Sequence, residues 1–355
     1  MPEERTGTAP PVLAIRDFSV SYFSRDREVR AVQHVDLELH PGEVVGLAGE
    51  SGSGKSTLAL GACRLLRPPA VITSGSVIYR GRRVREGGLD MLTLTARQLR
   101  ALRWREIAIV FQSAMNALNP VLRISDQLTD VFDAHLPLLR DQKQDRAAGL
   151  MDMVGIPRAR LRSYPHQLSG GMRQRVMIAM ALAVEPEVVI MDEPTTGLDV
   201  VVQREILQHI VELREQLGFA VLFITHDLSL LLDISHRISV MYGGQLVEVG
   251  EVSEIQRRPA HPYTVGLLNS FPSVRGPRSA VKGIPGSPPD LGNPEPGCPF
   301  IARCGFAAPE CCRVDMQLLS VPGSSPGHVT ACPFVLPGAA QPKQLKPAGK
   351  PGARA

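Results

Sequence analysis

Apolar and polar residues alternate through residues 12–48, in LAIRDFSVSYF and AVQHVDLEL, and the alternation gives way to the mostly apolar run EVVGLA. A period of two puts one strand face in a core and the other toward solvent, whereas a short unbroken apolar run reads as a strand buried on both sides. The polar SRDRE at 24–28 predicts the turn between the first two strands. SVIYRGRRV at 76–84 predicts a further hairpin arm turning near Arg80 and Gly81. From 95 to 184 leucine and methionine recur at spacings of three and four, so this stretch is mostly helical, with one short strand at 107–111. Apolar strands follow at 188–191 and 220–224. Helix and strand in alternation predict an α/β core whose ligand binds beyond the strand C-termini.

After about residue 257 the pattern breaks down. Proline and glycine dominate 272–299, and five of the six cysteines, Cys298, Cys304, Cys311, Cys312 and Cys332, lie in the last sixth of the chain. Residues 336–355 are rich in Pro, Gly, Ala and Lys and predict a disordered tail, as the charged, proline-bearing residues 1–11 predict a disordered start. No internal repeat is visible.

Composition narrows the class. A chain of 355 residues with 44% hydrophobic content can bury a large core in one or two domains. The net charge of +4 is spread out and gives no electrostatic footprint for nucleic acid. No apolar run approaches the ~20 residues that span a bilayer, and residues 1–11 hold no signal-peptide core. The expectation is a cytoplasmic protein that meets a membrane only through partners. In a reducing compartment the clustered cysteines suggest a metal site rather than disulfides, while Cys63, alone in the helix after the first loop, reads as a small buried apolar residue.

The chemistry concentrates in five places. Gly49-Glu50-Ser51-Gly52-Ser53-Gly54-Lys55-Ser56-Thr57 is a complete G-x-x-x-x-G-K-[ST] loop between a strand and a helix. Its glycines let backbone N–H groups face phosphate oxygens, the helix start adds positive charge, Lys55 reaches the β- and γ-phosphates and Ser56 ligates Mg²⁺. An ordinary glycine-rich turn is the alternative, and the strand–loop–helix setting disfavours it. The strand at 188–191 ends in Asp192-Glu193; buried acids need a partner or a task, and here Asp192 is placed to hold Mg²⁺ and Glu193 to orient and deprotonate water. LSGGMRQR at 168–175 has Ser169 as helix N-cap and two glycines, Gly170 and Gly171, that allow close approach of an anion. His226 ends a strand where it can donate to a γ-phosphate, and the uncharged Gln112 can approach Mg²⁺ and water.

With these motifs in order, residues 12–255 resemble the ATP-binding cassette of ABC transporters. LSGGMRQR is similar to the family signature, Asp192-Glu193-Pro194 to the acidic strand end, Thr195-Thr196-Gly197-Leu198-Asp199 to the D-loop, Thr225-His226-Asp227 to the switch histidine and Phe111-Gln112 to the Q-loop. Tyr22 matches the aromatic that stacks on adenine, with Phe23 directed to the other strand face. The resemblance implies a P-loop NTPase (RecA-like) core with an N-terminal antiparallel β-subdomain and an inserted α-helical subdomain at about 95–184. It implies ATP held by Tyr22, Gly49, Ser51, Gly52, Ser53, Gly54, Lys55, Ser56, Thr57, Gln112, Asp192 and His226, with Mg²⁺ on Ser56, Gln112 and Asp192. Lys55, Gln112, Glu193 and His226 would be catalytic. Two cassettes pair head to tail in this family, so Ser169, Gly170, Gly171 and Asp199 would act on the ATP of a partner.

Three features resemble the D-type ATPases of oligopeptide/dipeptide importers: the HQLSGGMRQRVMIAMAL segment, His261-Pro262-Tyr263-Thr264, and Gly297-Cys298-Pro299-Phe300 with Arg303-Cys304. That likeness implies a small cysteine-containing C-terminal extension at 256–335. It also implies a second, non-identical ATPase subunit, two transmembrane permease subunits and an extracytoplasmic solute-binding protein as partners, on the cytoplasmic membrane face. Gln167, Gly197 and Ser113-Ala114 depart from the usual residues and leave the solute open between peptides, nickel and other small compounds. Cys298, Cys304, Cys311 and Cys332 are spaced unlike a zinc ribbon, and the likeness implies a [4Fe–4S] cluster on them; Cys312 in place of Cys311, and plain buried or zinc-bound thiols, are the alternatives. A soluble non-transport ABC ATPase is disfavoured by the single cassette, and a non-hydrolysing one by the presence of Lys55, Asp192, Glu193 and His226.

Overall fold

The computed structural model describes residues 10–24, 27–84, 87–111, 117–270 and 283–332. Two sheets organise it. The first is antiparallel: β1 (Leu13–Ser24), β2 (Arg27–Leu39), β4 (Ala70–Tyr79) and β5 (Leu89–Asp90), in the order β2-β1-β4-β5. The second has eight strands, with β3 (Val44–Ala48), β6 (Ile107–Val110), β7 (Val188–Asp192), β8 (Ala220–Thr225), β9 (Arg237–Tyr242), β10 (Gln245–Glu251), β11 (Leu319–Ser320) and β12 (Val329–Thr330). Their order is β11-β12-β10-β9-β3-β8-β7-β6, parallel from β9 to β6 and antiparallel at the β10–β12 side.

The parallel strands are buried on both faces, and period two divides them between two cores. On β7, Val189 and Met191 join the helices, whereas Val188 and Ile190 face α1 (Lys55–Ala62) and the antiparallel sheet; Val221 and Phe223 against Leu222 and Ile224 do the same on β8. The helical side is built from α3 (Ile124–His135), α4 (Arg140–Met153) and α5 (Gly170–Leu182), packed around Phe132, Leu150 and Val176. α2 (Ala96–Leu102) opens with a Thr95–Gln98 capping box. α6 (Val200–Leu217), α7 (Leu228–Ile234), α8 (Val252–Arg257) and α9 (Pro262–Asn269) follow along the described residues.

Two boundaries differ from the sequence pattern, and a pairing is added that it does not show. α1 begins at Lys55, before the apolar run at Leu58, because Gly54 turns the loop directly into the helix in a left-handed conformation. The arm at 76–84 starts earlier and ends at Tyr79, since Arg82 turns away and gives both its backbone N–H and its Nε to Glu187. The cysteine-bearing extension does not stand apart: β12 pairs with β10 and continues the central sheet. Apart from Pro10 and Pro11, the stretches expected to be disordered at either end lie outside the described residues.

Candidate functional site: a phosphate loop and the acids beside it

The loop between β3 and α1 is shaped by its glycines. Gly54 has φ +104, and a Cβ there would lie 2.2 Å from the Ala31 carbonyl oxygen; one at Gly49 would lie 2.2 Å from that of Met241. Neither position tolerates a side chain, so β2 and β9 press the loop from two sides. Lys55 is 5% exposed and folds back, its Nζ donating to the carbonyls of Gly49 and Glu50, each at 2.8 Å, and to Ser53 Oγ at 3.3 Å. Burial pulls its pKa down, opposed by Glu193, Asp192 and Glu50. The ammonium therefore sits ready to exchange carbonyl oxygens for phosphate oxygens.

β7 and β8 deliver the acids and the histidine. Ser56 Oγ donates to Asp192 Oδ1 at 3.0 Å, joining the two oxygens expected to hold Mg²⁺. Asp192 is buried and its carboxyl is pushed up, chiefly by desolvation. A buried acid that touches a hydroxyl and faces open loop is the donor set a hard divalent cation prefers, so these residues fit Mg²⁺. Glu193, just past the strand, has φ +45, an uncommon conformation for a non-glycine residue that aims its carboxylate across to β8. Its N–H donates to Ile224 O; Oε2 accepts from Thr196 Oγ1 at 2.9 Å, and Oε1 lies 3.2 Å from His226 Nδ1.

Tyr22 is half-buried and its hydroxyl lies 3.2 Å from Thr57 Oγ1 in the first turn of α1, while Phe23 is exposed. Register thus puts Tyr22 beside the loop. Ser169 caps α5 by accepting the Met172 N–H, and Asp199 caps α6 by accepting that of Val202. Gly171 touches α6, where a Cβ would meet Val202 at 2.7 Å. Gln112, with Ser113 and Ala114, lies outside the described residues.

In the extension Cys311 is buried and Cys312 exposed. The Cys298 thiol is pushed up to about 11, first by burial and then by the neighbouring Cys304, Cys332 and Cys311. Phe306 N–H donates to Cys304 Sγ at 3.4 Å and Ala308 N–H to Cys311 Sγ at 3.5 Å. Thiols that accept backbone N–H groups suit an iron–sulfur cluster chemically; however, no group of three or more His, Cys, Asp or Glu side chains among the described residues is arranged as a metal-ligand set. The sequence pattern also missed contacts to the loop: Arg303 ion-pairs with Glu50, and Tyr263 Oη accepts the Glu50 N–H. Nothing in local spacing signals a pair 253 residues apart.

A phosphate loop on a mostly parallel sheet, with paired acids at the next strand end and a Ser-Gly-Gly helix start beyond, defines a cassette-type ATPase. The family model described as "ABC transporter" matches residues 32–196, and the one described as "Oligopeptide/dipeptide transporter, C-terminal region" matches residues 247–311. The chain is 39% identical over 300 residues to the oligopeptide transport ATP-binding protein OppD of Bacillus subtilis, covering 83% of this chain and 82% of that one. It is 38% identical over 323 residues to the dipeptide transport ATP-binding protein DppD of Caldanaerobacter subterraneus, covering 90% and 96%. Among solved structures, a dimeric bacterial ABC transporter cassette superposes with a TM-score of 0.59 at 27% identity, covering 68% of this chain and 98% of that one. A post-hydrolysis dimer of the same cassette bound to ADP and Pi gives 0.58 at 28% identity, over the same shares of each chain. The chain belongs to the ATP-binding subunits of ABC transporters, in the branch that carries the oligopeptide/dipeptide C-terminal region. No described helix is long and apolar enough to cross a membrane.

Proposed function

We propose that the chain hydrolyses ATP to drive uptake of di- and oligopeptides through membrane permease subunits, at whose cytoplasmic face it sits, with an extracytoplasmic protein delivering the solute. The observation that carries the ATPase half is the convergence of Lys55, Ser56, Asp192, Glu193 and His226 on one loop. The match of residues 247–311 to the peptide-transporter C-terminal region supports the solute class. Residues 12–255 form the cassette in this reading and 256–335 the extension.

Loop N–H groups and Lys55 bind the β- and γ-phosphates, and Tyr22 stacks on adenine. Ser56 and Asp192 would hold Mg²⁺, with Gln112 as a further ligand, and the ion would supply positive charge to the phosphates of the nucleotide. Glu193, held by Thr196 and His226, orients a water and accepts its proton as the water oxygen bonds to the γ-phosphorus and the bond to the bridging oxygen breaks, leaving ADP and phosphate, while His226 hydrogen-bonds the γ-phosphate. Ser169, Gly170 and Gly171, at a helix start that favours anions, close on the ATP of a second ATPase subunit beside Asp199. A dimeric cassette among the solved relatives supports this pairing, and a non-identical partner follows from the resemblance to D-type subunits. ATP then stabilises the closed dimer and hydrolysis releases it.

We further propose that Cys298, Cys304, Cys311 and Cys332 hold a [4Fe–4S] cluster with a structural or regulatory role. Anaerobic purification with iron and acid-labile sulfide assays tests this; colourless, iron-free protein refutes it.

Uptake tests the transport reading. Deleting the gene should abolish accumulation of labelled peptides, with rescue by the parent chain and not by Lys55→Ala. Normal peptide uptake with loss of nickel or another solute would move the substrate and keep the ATPase.

A further inference from the structure

Arg303 lies in the one-turn helix Ile301–Arg303, between Cys298 and Cys304, with its side chain 4% exposed. Its guanidinium uses every nitrogen. Nε donates to Pro285 O at 2.7 Å, Nη1 to Glu50 Oε2 at 2.6 Å and Tyr242 Oη at 3.2 Å, and Nη2 to Glu50 Oε1 at 2.9 Å and Ile284 O at 3.3 Å. The two-pronged contact with Glu50 is the geometry for which arginine is suited and lysine is not. The group also lies 5.8 and 5.9 Å from the Tyr242 and Phe300 ring centres, in a cluster closed by Tyr263 at 4.4 Å from Tyr242.

Glu50 is the second residue of the phosphate loop, and three of its groups are held. Arg303 grips the carboxylate, Tyr263 Oη accepts the N–H at 2.8 Å, and the carbonyl accepts Lys55 Nζ. A carboxylate in a polyphosphate site is unfavourable unless neutralised: it attracts the lysine that must leave for the nucleotide, and it repels the nucleotide itself. Glu50 acts on Lys55 in this way, as one of the charges holding its proton.

We propose that Arg303 is a positioning residue for ATP binding, through which the cysteine-bearing extension braces the phosphate loop and cancels the charge of Glu50. The proposal rests on the reading of this loop as the ATP site. Binding of a fluorescent ATP analogue to the full chain, with melting temperature measured alongside, tests it. Arg303→Met should weaken binding about tenfold, Arg303→Lys less, and Glu50→Gln added to Arg303→Met should restore much of the affinity because the unpaired charge is gone. In ATPase assays Arg303→Met should raise KM and leave kcat near the parent value. If Arg303→Met does not fold, Tyr263→Phe removes only the hydroxyl that accepts the Glu50 N–H and should weaken binding about threefold. Parent-like affinity in the folded variant, or a loss that Glu50→Gln does not relieve, overturns the proposal. Lys55→Ala in the same assay separates the two layers: binding that survives it refutes the loop reading, whereas its loss beside an unaffected Arg303→Met refutes only the brace.

Discussion

His226 Nδ1 and Glu193 Oε1 lie 3.2 Å apart, although 33 residues separate them and they hang from different strands. β7 and β8 are parallel neighbours in register from Val188 and Ala220 to Asp192 and Ile224, so the residues just past both strand ends arrive at the same place. The pairing fixes the aim of the carboxylate and, in the proposed mechanism, leaves the imidazole placed to meet the γ-phosphate. Glu193→Gln keeps the shape and removes the base. ATP hydrolysis should fall by about a hundredfold or more, the range for a lost general base, with ATP still bound. His226→Ala should also slow phosphate release, and the double variant should be little worse than Glu193→Gln alone, because the two act as a unit. Turnover at parent rate in Glu193→Gln would refute the base assignment.

Asp192 is held in a place that suits magnesium and not stability. Burial raises its carboxyl above the ordinary 3.8. Between that ordinary value and the raised one the folded chain binds more proton than the unfolded, so stability falls as pH rises through this window and the penalty persists at neutral pH. Asp192→Asn should therefore raise the melting temperature of the nucleotide-free chain at pH 7.5 and lose that advantage below about pH 4. The same variant should lose Mg²⁺-dependent ATP hydrolysis. A lower melting temperature at pH 7.5 would show that the Ser56 hydrogen bond outweighs desolvation.

Tyr22 and Phe23 are adjacent aromatics with opposite surroundings. Tyr22 reaches Thr57 at the start of α1 and Phe23 is exposed. Tyr22→Ala should weaken ATP binding about tenfold, in line with about 1–3 kcal/mol for a base stacked on an aromatic ring, and Phe23→Ala should leave it unchanged. Equilibrium binding of ATP and of tripolyphosphate decides it: Tyr22→Ala should affect the first and spare the second.

The parts visible in sequence were those whose physics is local. β3, the glycines of the loop, Ser169 as helix cap and the acids after β7 all follow from neighbours within a few positions. Register already requires the chain to be paired: the choice of Tyr22 over Phe23 depends on β1 lying antiparallel to β2 and β4. The least legible features join distant segments. Glu248 is fully buried because its carboxylate accepts the N–H groups of Ala260 and His261 and faces His328 Nε2 at 2.8 Å. In sequence Glu248 is only one of two acids in a mixed strand, and the extension that encloses it reads as irregular, proline-rich chain.

His261, at the head of α9, supplies a test of how that extension is fastened. Its Nδ1 accepts the Tyr263 N–H at 3.1 Å, its own N–H goes to Glu248, and its Nε2 is buried without a hydrogen-bond partner. Burial drives the imidazole from 6.5 down to about 3, so it stays neutral in the folded chain. Unfolded chains take up a proton below about pH 6.5 and the folded chain does not. The contribution of this site is therefore complete above that pH and is lost as pH falls toward 3, by up to about 1.4 kcal/mol per unit. Asparagine can still accept the Tyr263 N–H and carries no titrating group. His261→Asn should lower the melting temperature at pH 7.5, because the aromatic contact with Phe300 is lost, and should flatten the fall in melting temperature between pH 6.5 and 4. A variant whose acid limb is as steep as the parent's would show that His261 is protonated in the folded chain and that the extension is fastened by other groups.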